Sequence, residues 1–199
     1  NRPEYRYSGS IHEQWAEQLF GTPREPRIAA TGLSVLHYGY LDSRISAKDK
    51  KTRNMRILQE EARKRPRDNY LRYNIGIEHF RAGRNREALR EFKKAWKGLN
   101  PGSMWSSALS KMTALTLMTL GEFAEAERYL DKGLRLYPDF TDLVFLKGIL
   151  HTQLEQYPLA VEAFHRCIAM GPAPVPPYAA DSGLGGFKAC FALGQVYEA

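Results

Sequence analysis

GRNREALREFKKA (83–95), GEFAEAERYLDKG (121–133) and EQYPLAVEAFHRC (155–167) are one pattern written three times. Five places into each stretch stands a small residue: Ala88, Ala126 and Ala160. Four further on comes a large apolar one, Phe92, Leu130 or Phe164. Three later a small residue returns, Ala95, Gly133 or Cys167. Two of the stretches open on glycine (Gly83, Gly121), and two are followed by a helix-stopping proline, Pro138 and Pro172. Spacings of three and four put all these residues on one face of a helix. Ala88 to Ala126 is 38 residues and Ala126 to Ala160 is 34, with the excess assigned to the loop NPGSMWS. A repeat of this length cannot bury its apolar face alone, so neighbouring units must stack.

Upstream of each stretch lies a second helical pattern. YLRYNIGIEHF carries Ile75-Gly76 and His79, and LVFLKGILHTQL carries Gly148 and His151. The whole unit resembles the tetratricopeptide repeat, a helix–turn–helix of 34 residues. Small residues let its two antiparallel helices approach, and an aromatic fills the space between repeats. The resemblance implies a mostly α chain, an α-solenoid with repeats at about 69–102, 107–140 and 141–174. A fourth begins at 187–199, where Leu193-Gly194 and Tyr197 match the first helix. The Pro/Gly-rich insertion APVPPYAADSGLGG interrupts the period, as a long loop or a capping device. The last helix lacks a partner, which leaves one face for self-association with another copy. His79 and His151 take the family's tyrosine position and read as packing residues. Cys167 and Cys190 read as small helix-packing residues.

In this family the first helices line a concave groove. The resemblance assigns to it Tyr70, Tyr73, Ile77 and Phe80 from repeat one. Repeat two gives Ala108, Lys111, Leu115 and Met118, and repeat three Asp142, Phe145, Ile149 and Thr152. The set is apolar and aromatic with one cation and one carboxylate, which suits a peptide or protein partner. The alternative is that the chain's own terminus or insertion fills the groove.

Composition agrees with a globular chain. Of 199 residues, 43% are hydrophobic and 26% charged. No apolar run is long enough to span a bilayer, and NRPEYRYSGS has no signal-peptide core. Two cysteines without metal-type spacing argue for a reducing, cytoplasmic compartment. The net charge of +7 is uneven. Residues 44–97 hold 18 Lys+Arg against 7 Asp+Glu, and residues 98–199 hold 7 against 10. Such a basic block can attract phosphate, but a solvated helix face explains it as well, and nucleic acid is not the expected partner. Residues 44–66 form a basic linker with Met55, Leu58 and Ala62 at helical spacing, expected to cap the first repeat.

Residues 1–43 are different in kind. EYRYSGSIHE alternates as a strand does, and RIAATGLSVLHYGYL is an apolar run that ends on His37, Tyr38 and Tyr40. Two strands make a poor domain alone, and the chain opens without Met, so a fragment of something longer is expected. YRYSGSIHEQ and VLHYGYLDSR, followed by KKTRNMRIL and the repeats, resemble bacterial family 2 glycosyltransferases of the GT-A type. The resemblance implies that residues 1–43 are the β-containing end of an α/β catalytic domain. That domain would transfer a sugar from a nucleotide-sugar donor to an acceptor, and the array would recognise the acceptor or hold subunits together. It implies His37 as a late ligand of a divalent Mn or Mg ion, with His12 and Glu13 on the sugar or acceptor side. A strand-end histidine bonded to the backbone is the plainer reading of His37. No Asp-x-Asp motif occurs, so the fragment alone is expected to be inactive and to hold no cofactor. The competing reading is a non-catalytic scaffold that binds a partner in its groove.

Overall fold

The structure, a computed structural model, describes residues 50–103, 105–174 and 178–199. The chain divides into two compact units, Asn1–Arg67 and Asp68–Ala199. The described part of the first is helix α1 (Lys50–Lys64). Met55, Leu58 and Ala62 form its buried face. Arg63 and Lys64 complement the helix dipole in its last turn, and Pro66 follows. The strands expected in residues 1–43 lie outside the described residues, and no strand occurs among the described residues.

The second unit is a stack of helical hairpins: α2 (Asn69–Arg81) with α3 (Asn85–Trp96), α4 (Ser106–Thr119) with α5 (Phe123–Leu136), and α6 (Thr141–Gln153) with α7 (Tyr157–Met170). Helix α8 (Phe187–Glu198) stands where a fourth hairpin would begin and packs on α6 and α7. Asp68 caps α2, accepting from the amides of Tyr70 at 3.0 Å and Leu71 at 3.2 Å.

The three hairpin turns are alike. The first helix of each ends in a Schellman motif, in which Arg84 N–H donates to His79 O, Glu122 N–H to Leu117 O and Gln156 N–H to His151 O, each at 2.9 Å. The residue before each donor adopts a left-handed backbone, with φ of 73° at Gly83, 75° at Gly121 and 57° at Glu155. The third repeat therefore keeps the turn without the glycine and carries the strain of a β-carbon there.

Within each hairpin, a small residue of the first helix receives a large one sixteen residues on. A Cβ on Gly76 would lie 2.4 Å from Phe92 Cε1, and one on Gly148 would lie 2.5 Å from Phe164 Cε1. Both rings are fully buried. At the same two positions repeat two has Ala114 and Leu130, both fully buried in one apolar cluster, trading ring volume for a methyl. Gly194 on α8 has open space instead, and Phe187 and Phe191 are exposed on that helix. Between hairpins, Trp96 donates its indole N–H to Thr113 Oγ1 at 3.0 Å and meets the Tyr129 ring edge-on at 5.4 Å. Lys93 reaches Glu125 at 2.8 Å. Cys167 is buried, which pushes its thiol up to about 12 and keeps it a packing residue.

Candidate functional site

The first helices α2, α4 and α6 lie side by side, and the residues assigned to the groove fall into two parts. The first is aromatic. Tyr73 stacks on Trp105 at 5.7 Å and tilts against Phe92 at 6.1 Å, while the Tyr70 ring lies 5.9 Å from Trp105. Ile77 and Phe80 continue the row, half-buried, with Met112 beside them. Burial pushes the Tyr73 phenol up to about 12, so it stays neutral and serves as ring and hydroxyl. Trp105 escaped the sequence reading because it sits in the loop NPGSMWS, where no helical period marks it. An aromatic in an overlong connection was the available signal.

The second part centres on Lys111. Its ammonium group makes three contacts to oxygen, Asp142 Oδ2 at 2.7 Å, Asp181 Oδ2 at 3.2 Å and the Ala179 carbonyl at 3.4 Å, and lies over the Phe140 ring at 5.9 Å. The Asp142 side chain is 1% exposed and that of Lys111 14%, so this is a buried ion pair. Asp142 Oδ2 also accepts from the Asp181 backbone N–H at 3.1 Å. Asp142 Oδ1 has no hydrogen-bond donor among the described residues. Ala108 and Met118 are buried and form walls, while Leu115 is half-buried. Phe145 and Ile149 pack toward α7 and α8, with the Phe145 ring 5.5 Å from Phe164. Thr152 donates back into its own helix, to the Gly148 carbonyl at 2.9 Å.

The partner of Lys111 and Asp142 is the insertion itself. Its ends meet: a Cβ on Gly185 would sit 1.9 Å from the Gly171 carbonyl oxygen, which also accepts from Thr141 Oγ1 at 2.8 Å. Tyr178 lies face to face with Phe140 at 4.7 Å and edge-on to Tyr137 at 6.0 Å. Its hydroxyl donates to Asp139, and burial together with that carboxylate raises its pKa. Ala173 and Tyr178 join the buried cluster that holds Leu143 and Leu150. The described residues of the insertion are thus laid on Lys111 of α4, Asp142 of α6 and the connection between α5 and α6. Tyr178 and Asp181 were not legible as site residues, because nothing local in a Pro/Gly-rich stretch says where it folds back.

His79 and His151 of the array are packing groups, while His165 is exposed. His151 Nδ1 pairs with Gln156 Oε1 at 2.8 Å, and burial lowers the pKa of His79. His12, Glu13 and His37 lie outside the described residues. Among the described residues no three His, Cys, Asp or Glu side chains gather as a metal site would require, and no helix is long and apolar enough to cross a membrane.

A family model for the tetratricopeptide repeat matches residues 111–173. No curated protein sequence matches the chain. Solved structures do. MamA superposes with a TM-score of 0.62 at 16% identity, over 83% of this chain and 85% of that one. A MamA fragment (41-end) from Desulfovibrio magneticus RS-1 gives 0.56 at 21% identity, over 78% and 89%. YrrB, described as a TPR protein with an unusual peptide-binding site, gives 0.57 at 18% identity, over 77% and 71%. Residues 111–173 therefore match the tetratricopeptide repeat, and the described hairpins share the fold of these helical solenoids. None of these matches is a glycosyltransferase domain.

Proposed function

We propose that the array is a binding scaffold whose first-helix face takes a peptide or a protein segment. One observation carries this reading: Lys111 and Asp142 of that face already hold an irregular stretch of polypeptide, through a carbonyl, an amide N–H and a carboxylate. Beside it, the row from Tyr70 to Phe80 with Trp105 offers rings and apolar side chains of partial exposure. Half-buried aromatics are the anchors peptides use most, since they give large contact area at low entropic cost. YrrB, with its described peptide-binding site, has the same fold and supports the reading.

Selection of displayed random peptides against the chain tests it. Peptides are expected that bind the wild type and lose about tenfold or more in affinity on Ile77→Glu, with helix content unchanged. Recovery of no peptide, or of peptides indifferent to that substitution and to Leu115→Glu, would remove the reading.

A second reading rests on the pattern of residues 1–43. In it the parent protein is a glycosyltransferase of the GT-A type with a nucleotide-sugar donor, and the array recognises the acceptor. His37 would face a divalent ion, with His12 and Glu13 near the sugar. Release of nucleoside diphosphate from a nucleotide sugar by the longer protein, lowered by His37→Ala without loss of the array's fold, is the expected result. Wild-type turnover by that variant would remove the ligand assignment.

A further inference from the structure

We propose that residues 178–181 are a built-in stand-in for the partner, whose recognised segment carries an aromatic residue followed three places later by a carboxylate. This rests on the peptide-binding reading above and names the ligand chemistry of that same face. Five contacts define the stand-in. Tyr178 fills an aromatic seat of Phe140 and Tyr137 and donates its hydroxyl to Asp139. The Ala179 carbonyl accepts from Lys111, and the Asp181 N–H donates to Asp142. The Asp181 carboxylate pairs with Lys111 at 3.2 Å. Lys111 and Asp142 thus read a main-chain acceptor and a main-chain donor two residues apart, which any peptide offers. The ring and the carboxylate supply the sequence preference.

The loop is an imperfect occupant. Asp142 is buried, yet its Oδ1 finds no donor among the described residues, and a buried carboxylate oxygen without one costs free energy. A ligand that brings one more donor there is held better than the loop. Asp181 is 63% exposed, so its ion pair is screened and weak. Besides the buried Tyr178 seat, what holds the loop is its tether. Gly171 and Gly185 close it, and a short closed loop competes at an effective concentration of the order of millimolar. An incoming peptide must displace it, so the wild type binds more weakly than an unlatched variant.

The experiment uses fluorescence anisotropy with a labelled PYAADSG peptide, the sequence of residues 177–183, and the 199-residue chain. Tyr178→Ala/Asp181→Ala is expected to bind the probe about tenfold more tightly than the wild type. Replacing the probe's tyrosine or aspartate by alanine is expected to erase the gain. Asp181→Asn, at an exposed position, gives a smaller gain in the same direction and serves if the double variant folds poorly. Equal affinities for wild type and unlatched chain would overturn the stand-in, while library-selected peptides that still bind would leave the scaffold reading in place. Failure of the probe and of every library peptide on both chains would overturn both.

Discussion

Phe164→Ala is expected to cost about 3–5 kcal/mol of stability, the range for truncating a fully buried ring. Phe164 has no exposed surface and stands between Gly148 of its own hairpin and the Phe145 ring. The cavity left behind would be bounded by backbone on one side, since Gly148 has no side chain to lean in. The reverse change shows the same fit. Gly148→Ala places a Cβ 2.5 Å from Phe164 Cε1 and 2.8 Å from Cδ1 and Cζ, all atoms of a ring that cannot swing away. Overpacking of that kind costs about 1–3 kcal/mol, against which alanine returns about 1 kcal/mol in helix propensity. Repeat two supplies the remedy in Ala114 and Leu130. Gly148→Ala/Phe164→Leu is therefore expected to lie well above the sum of its two single changes in a urea-unfolding cycle. Strict additivity would mean that the two positions do not share one contact.

Lys111→Met is expected to cost about 3–5 kcal/mol, far more than the loss of a surface lysine. Asp142 is 1% exposed and already carries one oxygen without a donor among the described residues. Without the ammonium, its other oxygen keeps the Asp181 N–H as its one donor among the described residues, and a buried negative charge stands unpaired. Lys111→Met/Asp142→Leu is expected to regain most of the loss, because both charges leave together and apolar side chains of similar size replace them. Thermal unfolding of the four proteins in low and high salt checks this. A cost below about 1 kcal/mol for Lys111→Met, falling further with salt, would show that the pair is solvated.

The helices were legible because their rule is local. Ala88, Phe92 and Ala95 recur at three- and four-residue spacing, and the left-handed turn after each first helix wants glycine. Two exceptions still follow the rule physically. Glu155 holds the turn without being glycine, and Ala114 with Leu130 keeps the volume of Gly76 with Phe92. The site was half legible. The resemblance to the repeat family put Lys111 and Asp142 on one face, though 31 residues separate them. What lies on them was not legible, since the Lys111–Ala179 contact spans 68 residues and begins in a stretch without period. The alternative that an inserted segment fills the groove describes this end of the face, while the aromatic end at Tyr73 and Trp105 carries no such loop among the described residues. The candidates His12, Glu13 and His37 lie outside the described residues, so the structure adds nothing to their resemblance.

The central claim is that the first-helix face binds peptide, and methyl NMR reads it directly. A selected peptide is titrated into the chain with labelled Ile and Leu methyls. Shifts are expected at Ile77, Leu115 and Ile149 on the first helices. Leu136, Leu159 and Ile168, exposed on the second helices, are expected to stay still. Shifts confined to those three, with Ile77, Leu115 and Ile149 unmoved, would contradict the account.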